Sequence, residues 1–98
     1  MKIRYSETAF SEREALFDYL EQFSKTGARH VENAVRATEK NLGAFPLSGH
    51  ITDHEDFRVA KIRSYPYQIY YVIGKKYIEI VHIRHSARKS LIDNESSP

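Results

Sequence analysis

At 98 residues, 41% hydrophobic and 12% aromatic, the chain has material for one domain around one modest core and is too apolar for a disordered segment. It contains no cysteine, which excludes a disulfide framework and a thiolate metal centre, and no apolar run approaches the ~20 residues of a membrane span. The net charge of +2 hides a segregation: residues 57–90 hold eight Lys/Arg against one acid, Glu79, while residues 7–56 hold ten acids against five bases.

The first ten residues, MKIRYSETAF, lack the apolar centre of a signal peptide, so a cytoplasmic protein is expected. Lys2–Tyr5 alternates roughly and is read as a first strand. Ser6 or Thr8 then caps a helix, and Ser11-x-x-Glu14 matches a capping box that falls a turn further in. Leu16, Tyr19, Leu20 and Phe23 share one helical face. Gly27 is expected to end that helix in a left-handed conformation. A second helix follows, with Ala28, Val31, Ala34, Val35, Thr38 and Leu42 as its inward stripe and Gly43 as its C-terminal cap. So short a connection makes the two helices an antiparallel hairpin. Phe45-Pro46 stops the second helix, and residues 47–56 read as a polar loop.

Three β-rich runs come next, over residues 57–62, 67–73 and 77–83. Tyr65-Pro66 turns the first into the second, and Gly74-Lys75-Lys76 makes a hairpin of the second and third. The expected fold is therefore α+β: an N-terminal strand, an antiparallel helical hairpin, then a three-stranded antiparallel meander, in the order β-α-α-β-β-β. Ile69, Tyr71 and Ile73 lie on one face of the middle run and Tyr70 and Val72 on the other. Apolar residues on both faces call for two covers, the helical hairpin on one side and a partner protein on the other. The domain is expected to span residues 1–92, with 93–98 as a polar tail.

The chemistry-bearing residues cluster late. His85 and Arg88 follow the last run, and Arg58, Lys61 and Arg63 lie on or beside the first. An imidazole that titrates near neutrality, with guanidinium forks around it, suits cleavage of RNA through its 2′-hydroxyl. The same residues equally describe a solvated basic rim, with His85 capping a strand end and Arg88 in a structural ion pair. His50-x-x-x-His54 beside Asp53, Glu55 and Asp56 resembles metal-ligand vocabulary. On a loop it has no fixed geometry, and no metal or other cofactor is expected. His82 and His85 face opposite ways along a regular strand, which disfavours a chelate.

In order, these residues resemble the RelE/ParE superfamily of bacterial toxins. The resemblance runs through Leu42-x-x-x-Pro46-x-x-Gly49, Arg58, Tyr67-x-Ile69-x-Tyr71-x-Ile73 and Ile78-x-Ile80-x-x-Ile83-x-His85-x-x-Arg88, and covers nearly the whole chain. It implies the same fold. RelE-like members cut mRNA in the ribosomal A site, whereas ParE-like members poison DNA gyrase. A RelE-like catalytic arginine would stand where this chain has Gln68, and no tyrosine follows Tyr77, although Lys61 and Arg88 match. YoeB-like relatives pair a late His with a Tyr, and here Ser86 follows His85. The ending Ile83-Arg84-His85-Ser86-Ala87-Arg88 is close to the ParE-like form.

The resemblance thus implies a gyrase-poisoning toxin silenced by a ParD-like antitoxin and meeting operator DNA only through it. Arg58, Lys61, Arg63, His85 and Arg88 are the expected target- or antitoxin-binding residues. The alternatives are a ribosome-dependent mRNA endonuclease using His85, Arg88, Arg63 and Arg58, or an inactive homologue that acts only by binding antitoxin.

Overall fold

In the computed structural model, which describes residues 1–54 and 56–87, strand β1 (Lys2–Tyr5) leads into helices α1 (Glu7–Glu21) and α2 (Lys25–Ala44). A 3₁₀ turn over Pro46–Ser48 follows, then β2 (His50–Ile51), β3 (Arg58–Lys61), β4 (Tyr67–Ile73) and β5 (Tyr77–His85). The expected α+β fold is present, and the meander is β3-β4-β5. Two strand details differ. The sheet has five strands in the order β1-β5-β4-β3-β2, because His50 and Ile51 fold back onto Val59 and Arg58. It is also mixed: β1 lies parallel to β5, with Ile3 opposite Ile78 and Tyr5 opposite Ile80. The helical hairpin supplies the crossover that a parallel pairing needs.

Ser6 caps α1, its Oγ accepting the Ala9 N–H at 3.0 Å. Neither glycine acts as the expected cap, and no glycine has positive φ. Gly27 lies in the first turn of α2, its N–H donating to the Oγ of Ser24 at 2.9 Å, so Ser24 both closes the connection and starts the second helix. Gly43 lies inside α2, where its carbonyl accepts the N-terminal ammonium at 2.6 Å. A Cβ there would stand 2.8 Å from the Met1 carbonyl oxygen, so this glycine serves close packing.

The inward face of α2 is the expected one, with Ala28, Val31, Val35 and Leu42 buried. That of α1 is rotated. Leu16, Leu20 and Phe17 pack on the core with buried Ala9, while Tyr19 and Phe23 are 56% and 72% exposed and meet each other edge-on. Arg13 completes that stripe, its guanidinium lying 4.7 Å from the Phe17 ring and 5.6 Å from the Tyr5 ring. A cation that packs by its stem and ring contacts reads as polar in a periodicity count, which displaced the predicted face.

Between helices and sheet, Val35, Leu42, Ile69, Tyr71, Ile78 and Ile80 are fully buried. Each such side chain contributes roughly 1.5–3 kcal/mol of burial. On the other sheet face Tyr70 and Gln68 are already buried within the single chain, while Val59 and Val72 are half-buried. Between Tyr70 and Tyr71 the register with β5 shifts, leaving Val81 as the extra residue of a bulge. Arg88 and the expected boundary between residues 92 and 93 lie outside the described residues.

Candidate functional site at one end of the sheet

The sheet places the expected site residues in two groups. Arg58 opens β3, facing the helices opposite Tyr71. Its Nη1 donates to the Gly49 carbonyl at 2.9 Å. The Tyr71 hydroxyl donates to the Pro46 carbonyl at 2.7 Å and accepts the Gly49 N–H at 3.0 Å. Phenol and guanidinium together hold residues 46–49 in their turn. A Cβ at Gly49 would sit 2.4 Å from the Tyr71 hydroxyl and 2.8 Å from the Val59 carbonyl oxygen, so only glycine passes there. Arg58 is thus engaged in the frame, at the opposite end of β3 from the other cations.

Lys61, Arg63 and His85 lie toward the other end, with Lys61 and His85 on opposite faces of the sheet and β4 between their strands. Lys61 pairs with Gln68, which pairs with Arg84. Tyr67 pairs with His85, the two rings 5.4 Å apart and edge-on. The Ser86 N–H donates to the Pro66 carbonyl at 2.8 Å and ties the end of β5 to the turn that carries Arg63. In that turn Ser64 holds φ of 72°, a left-handed conformation uncommon for a residue with a side chain. Lys61, Arg63 and His85 are all exposed. The His85 Nδ1 accepts the Ala87 N–H at 3.0 Å, leaving Nε2 as the ring's free nitrogen toward a ligand.

A groove of about 390 Å³ runs beside this end between α1 and β5, lined by Glu12, Leu16, Tyr19, Tyr67, Arg84 and His85. Burial, reinforced by neighbouring Tyr19, raises the Tyr67 pKa, so its phenol stays protonated at neutral pH. Glu12, Arg84 and Tyr19 were missed in sequence. Beyond Ile80 the edge of β5 has lost its β1 partner, and Glu12 of α1 replaces it. Its Oε1 accepts the Ile83 N–H at 3.0 Å, and the His82 Nδ1 lies 3.2 Å away. The Arg84 Nε is 3.6 Å from Oε2. His82 Nδ1 donates its proton to Glu12, and Arg84 adds charge contact. No spacing in the sequence links a carboxylate on α1 to a strand some seventy residues away.

Gln68 is 9% exposed, and its Nε2 donates to the Tyr70 hydroxyl at 2.9 Å. His82 and His85 do face opposite ways, opposite Tyr70 and Tyr67 respectively. His54 stacks on Phe57 at 4.1 Å, and among the described residues no three His, Asp or Glu side chains converge as metal ligands.

The sequence profile of the family described as ParE toxin of type II toxin-antitoxin system, parDE, matches residues 3–90. Among solved structures, the chain is similar to one from the chromosomal ParDE TA system of P. aeruginosa. The identity is 18%, over 87% of this chain and 95% of that one, with a TM-score of 0.74. A YoeB/ParE toxin from Agrobacterium tumefaciens aligns at 15% identity over 87% of this chain and 98% of that one, with a TM-score of 0.59. A conserved hypothetical protein from Helicobacter pylori aligns at 14% identity over 90% and 97%, also at 0.59. At these identities the structural likeness bears on the fold. None of the curated proteins matches the chain in sequence.

Proposed function

The chain belongs to the ParE toxin family of type II toxin-antitoxin systems, and from that premise we propose that it arrests growth by poisoning DNA gyrase. In this reading it acts in the cytoplasm, is silenced by a cognate ParD-like antitoxin and reaches operator DNA only through that antitoxin. Lys61, Arg63 and His85 form its target- or antitoxin-facing end, joined in sequence by Arg88, and Arg58 holds the frame. No step of the action requires a cofactor.

One observation carries the choice of gyrase over mRNA. Where a RelE-like nuclease would place its catalytic arginine, this chain has Gln68, buried and hydrogen-bonded to Tyr70. An amide held in that way supplies no charge to a developing phosphorane. The other residues that would have to substitute are dispersed: Arg58 is bound to the Gly49 carbonyl at the far end of β3.

The competing reading, a ribosome-dependent mRNA endonuclease, draws on the exposed Lys61, Arg63 and His85. Ribosomes programmed with mRNA and treated with the antitoxin-free protein separate the two. The proposal expects intact message. Codon-phased cuts that vanish in His85→Ala would overturn it.

A further inference from the structure

The hairpin that joins β4 to β5 lies at the end of the sheet away from Lys61, Arg63 and His85, and its two lysines, Lys75 and Lys76, are exposed. Gly74 closes the turn, its N–H donating to the Tyr77 carbonyl at 2.9 Å. The backbone N–H groups of Lys75 and Lys76 find no acceptor among the described residues, so the loop presents amide donors as well as ammonium groups.

The parallel pairing of β1 with β5 brings two more cations to this end. Lys2 stands opposite Tyr77, and Arg4 opposite Glu79. Ile3 and Tyr5 pack inward on the core, so Lys2 and Arg4 take the other face of the sheet, which Tyr77 and Glu79 share. The Arg4 guanidinium lies 4.4 Å from the centre of the Tyr77 ring. Stacking fixes its plane and leaves its charge and its N–H edges available. Among the described residues, none of Lys2, Arg4, Lys75 and Lys76 makes an ion pair. A recess of about 390 Å³ beside the hairpin is lined by Val72, Gly74, Lys75, Lys76, Tyr77 and Glu79, and Glu79 is its one carboxylate.

Two distant parts of the chain thus build one cationic surface. An acidic protein partner presents its carboxylates among apolar anchors, and for those the surface offers Tyr77, 38% exposed and stacked against Arg4. A nucleic-acid duplex needs no such anchor: it carries one charge per about 1.7 Å of its axis and meets several cations at once.

We propose that this hairpin end binds the phosphate backbone of duplex DNA, with Lys2, Arg4, Lys75 and Lys76 as its phosphate contacts. A contact of this kind holds DNA without reading its bases, so operator choice stays with the antitoxin. The inference goes beyond the gyrase reading. Where that reading holds, it gives the toxin its own hold on the DNA that gyrase has bound.

The test titrates the antitoxin-free full chain into a labelled duplex of about 20 bp and arbitrary sequence, from about 50 mM salt upward. Affinity should fall linearly on a log–log plot against salt. The Lys75→Glu/Lys76→Glu variant, altered only at exposed positions and checked for an unchanged melting curve, should bind about tenfold or more weakly, with a slope shallower by about two. Lys61→Glu/Arg63→Glu makes the same change in net charge at the other end and should stay within about threefold of wild type. No binding by the wild type at the lowest salt, or equal losses in the two variants, would overturn the inference, the second by assigning the binding to net charge alone. Tighter binding of a single-stranded RNA of equal length, or displacement of the duplex by polyglutamate at equal charge, would overturn it too, by making RNA or an acidic protein the fitting ligand. Gyrase is scored separately. DNA binding through the hairpin with gyrase unaffected keeps the inference and removes the gyrase reading, whereas poisoning by a toxin that binds no DNA does the reverse.

Discussion

Tyr71 contributes twice, by its ring in the core and by its hydroxyl at the turn over residues 46–49. Its place in the core was legible from alternation along β4, but the phenol's partners lie more than twenty residues away and no local pattern shows them. Arg58 was read as a site residue for its charge, yet the structure uses its guanidinium as a tie to Gly49. Tyr71→Phe should therefore cost about 1–3 kcal/mol, by leaving a half-buried N–H and C=O short of a partner. Arg63→Ala and His85→Ala, at exposed positions, should stay within about 0.5 kcal/mol of the parent. Urea unfolding measures all three, and a Tyr71→Phe midpoint equal to wild type would remove the clamp.

A second residue sets a pH limit. The Tyr5 hydroxyl donates to the Glu39 carboxylate, and burial first, then that carboxylate, push its pKa well above the ordinary tyrosine value. A folded-state pKa raised above the unfolded one contributes stability below the unfolded value, and that contribution is lost as pH climbs toward the folded value. The wild-type melting temperature should thus fall above about pH 10 more steeply than that of Tyr5→Phe. Parallel curves for the two proteins would show that Tyr5 is not the group responsible.

At the scale of elements, the parts with a regular period were readable. The β4 and β5 alternation and the α2 stripe give their strands, helix and buried residues. Misses fall where periodicity is short or interrupted. Two residues of β2 are too few to alternate, and Arg13 on the inward face of α1 masked its true orientation. The pairing of β1 with β5 depends on the path of the whole chain, which strand propensity does not encode. Glu12 is the joint between α1 and the part of β5 that lies beyond its pairing with β1. Removing it as Glu12→Ala frees the Ile83 N–H and two side chains, and should cost about 1–3 kcal/mol. Glu12→Gln keeps an acceptor for Ile83 and should cost less. Equal midpoints for Glu12→Ala and wild type in denaturant would mean that packing alone joins the two elements.

For the whole molecule, the charge segregation seen in sequence becomes a sheet end that carries Lys61, Arg63, Arg84 and His85, three of them in register with the first two residues of β4. Part of the candidate site was therefore legible: the cations and the late histidine were named, but Arg58 belongs to the frame and Glu12, Tyr19 and Arg84 to the surroundings. Charge identifies residues that meet a partner without saying which of them the fold has already engaged. Antitoxin-free protein incubated with DNA gyrase, ATP and relaxed plasmid tests the central claim most directly, with supercoiled and cleaved DNA resolved on one gel. The account predicts accumulating gyrase–DNA cleavage complexes that disappear when the antitoxin is added back. Normal supercoiling by gyrase in the presence of folded toxin would contradict it.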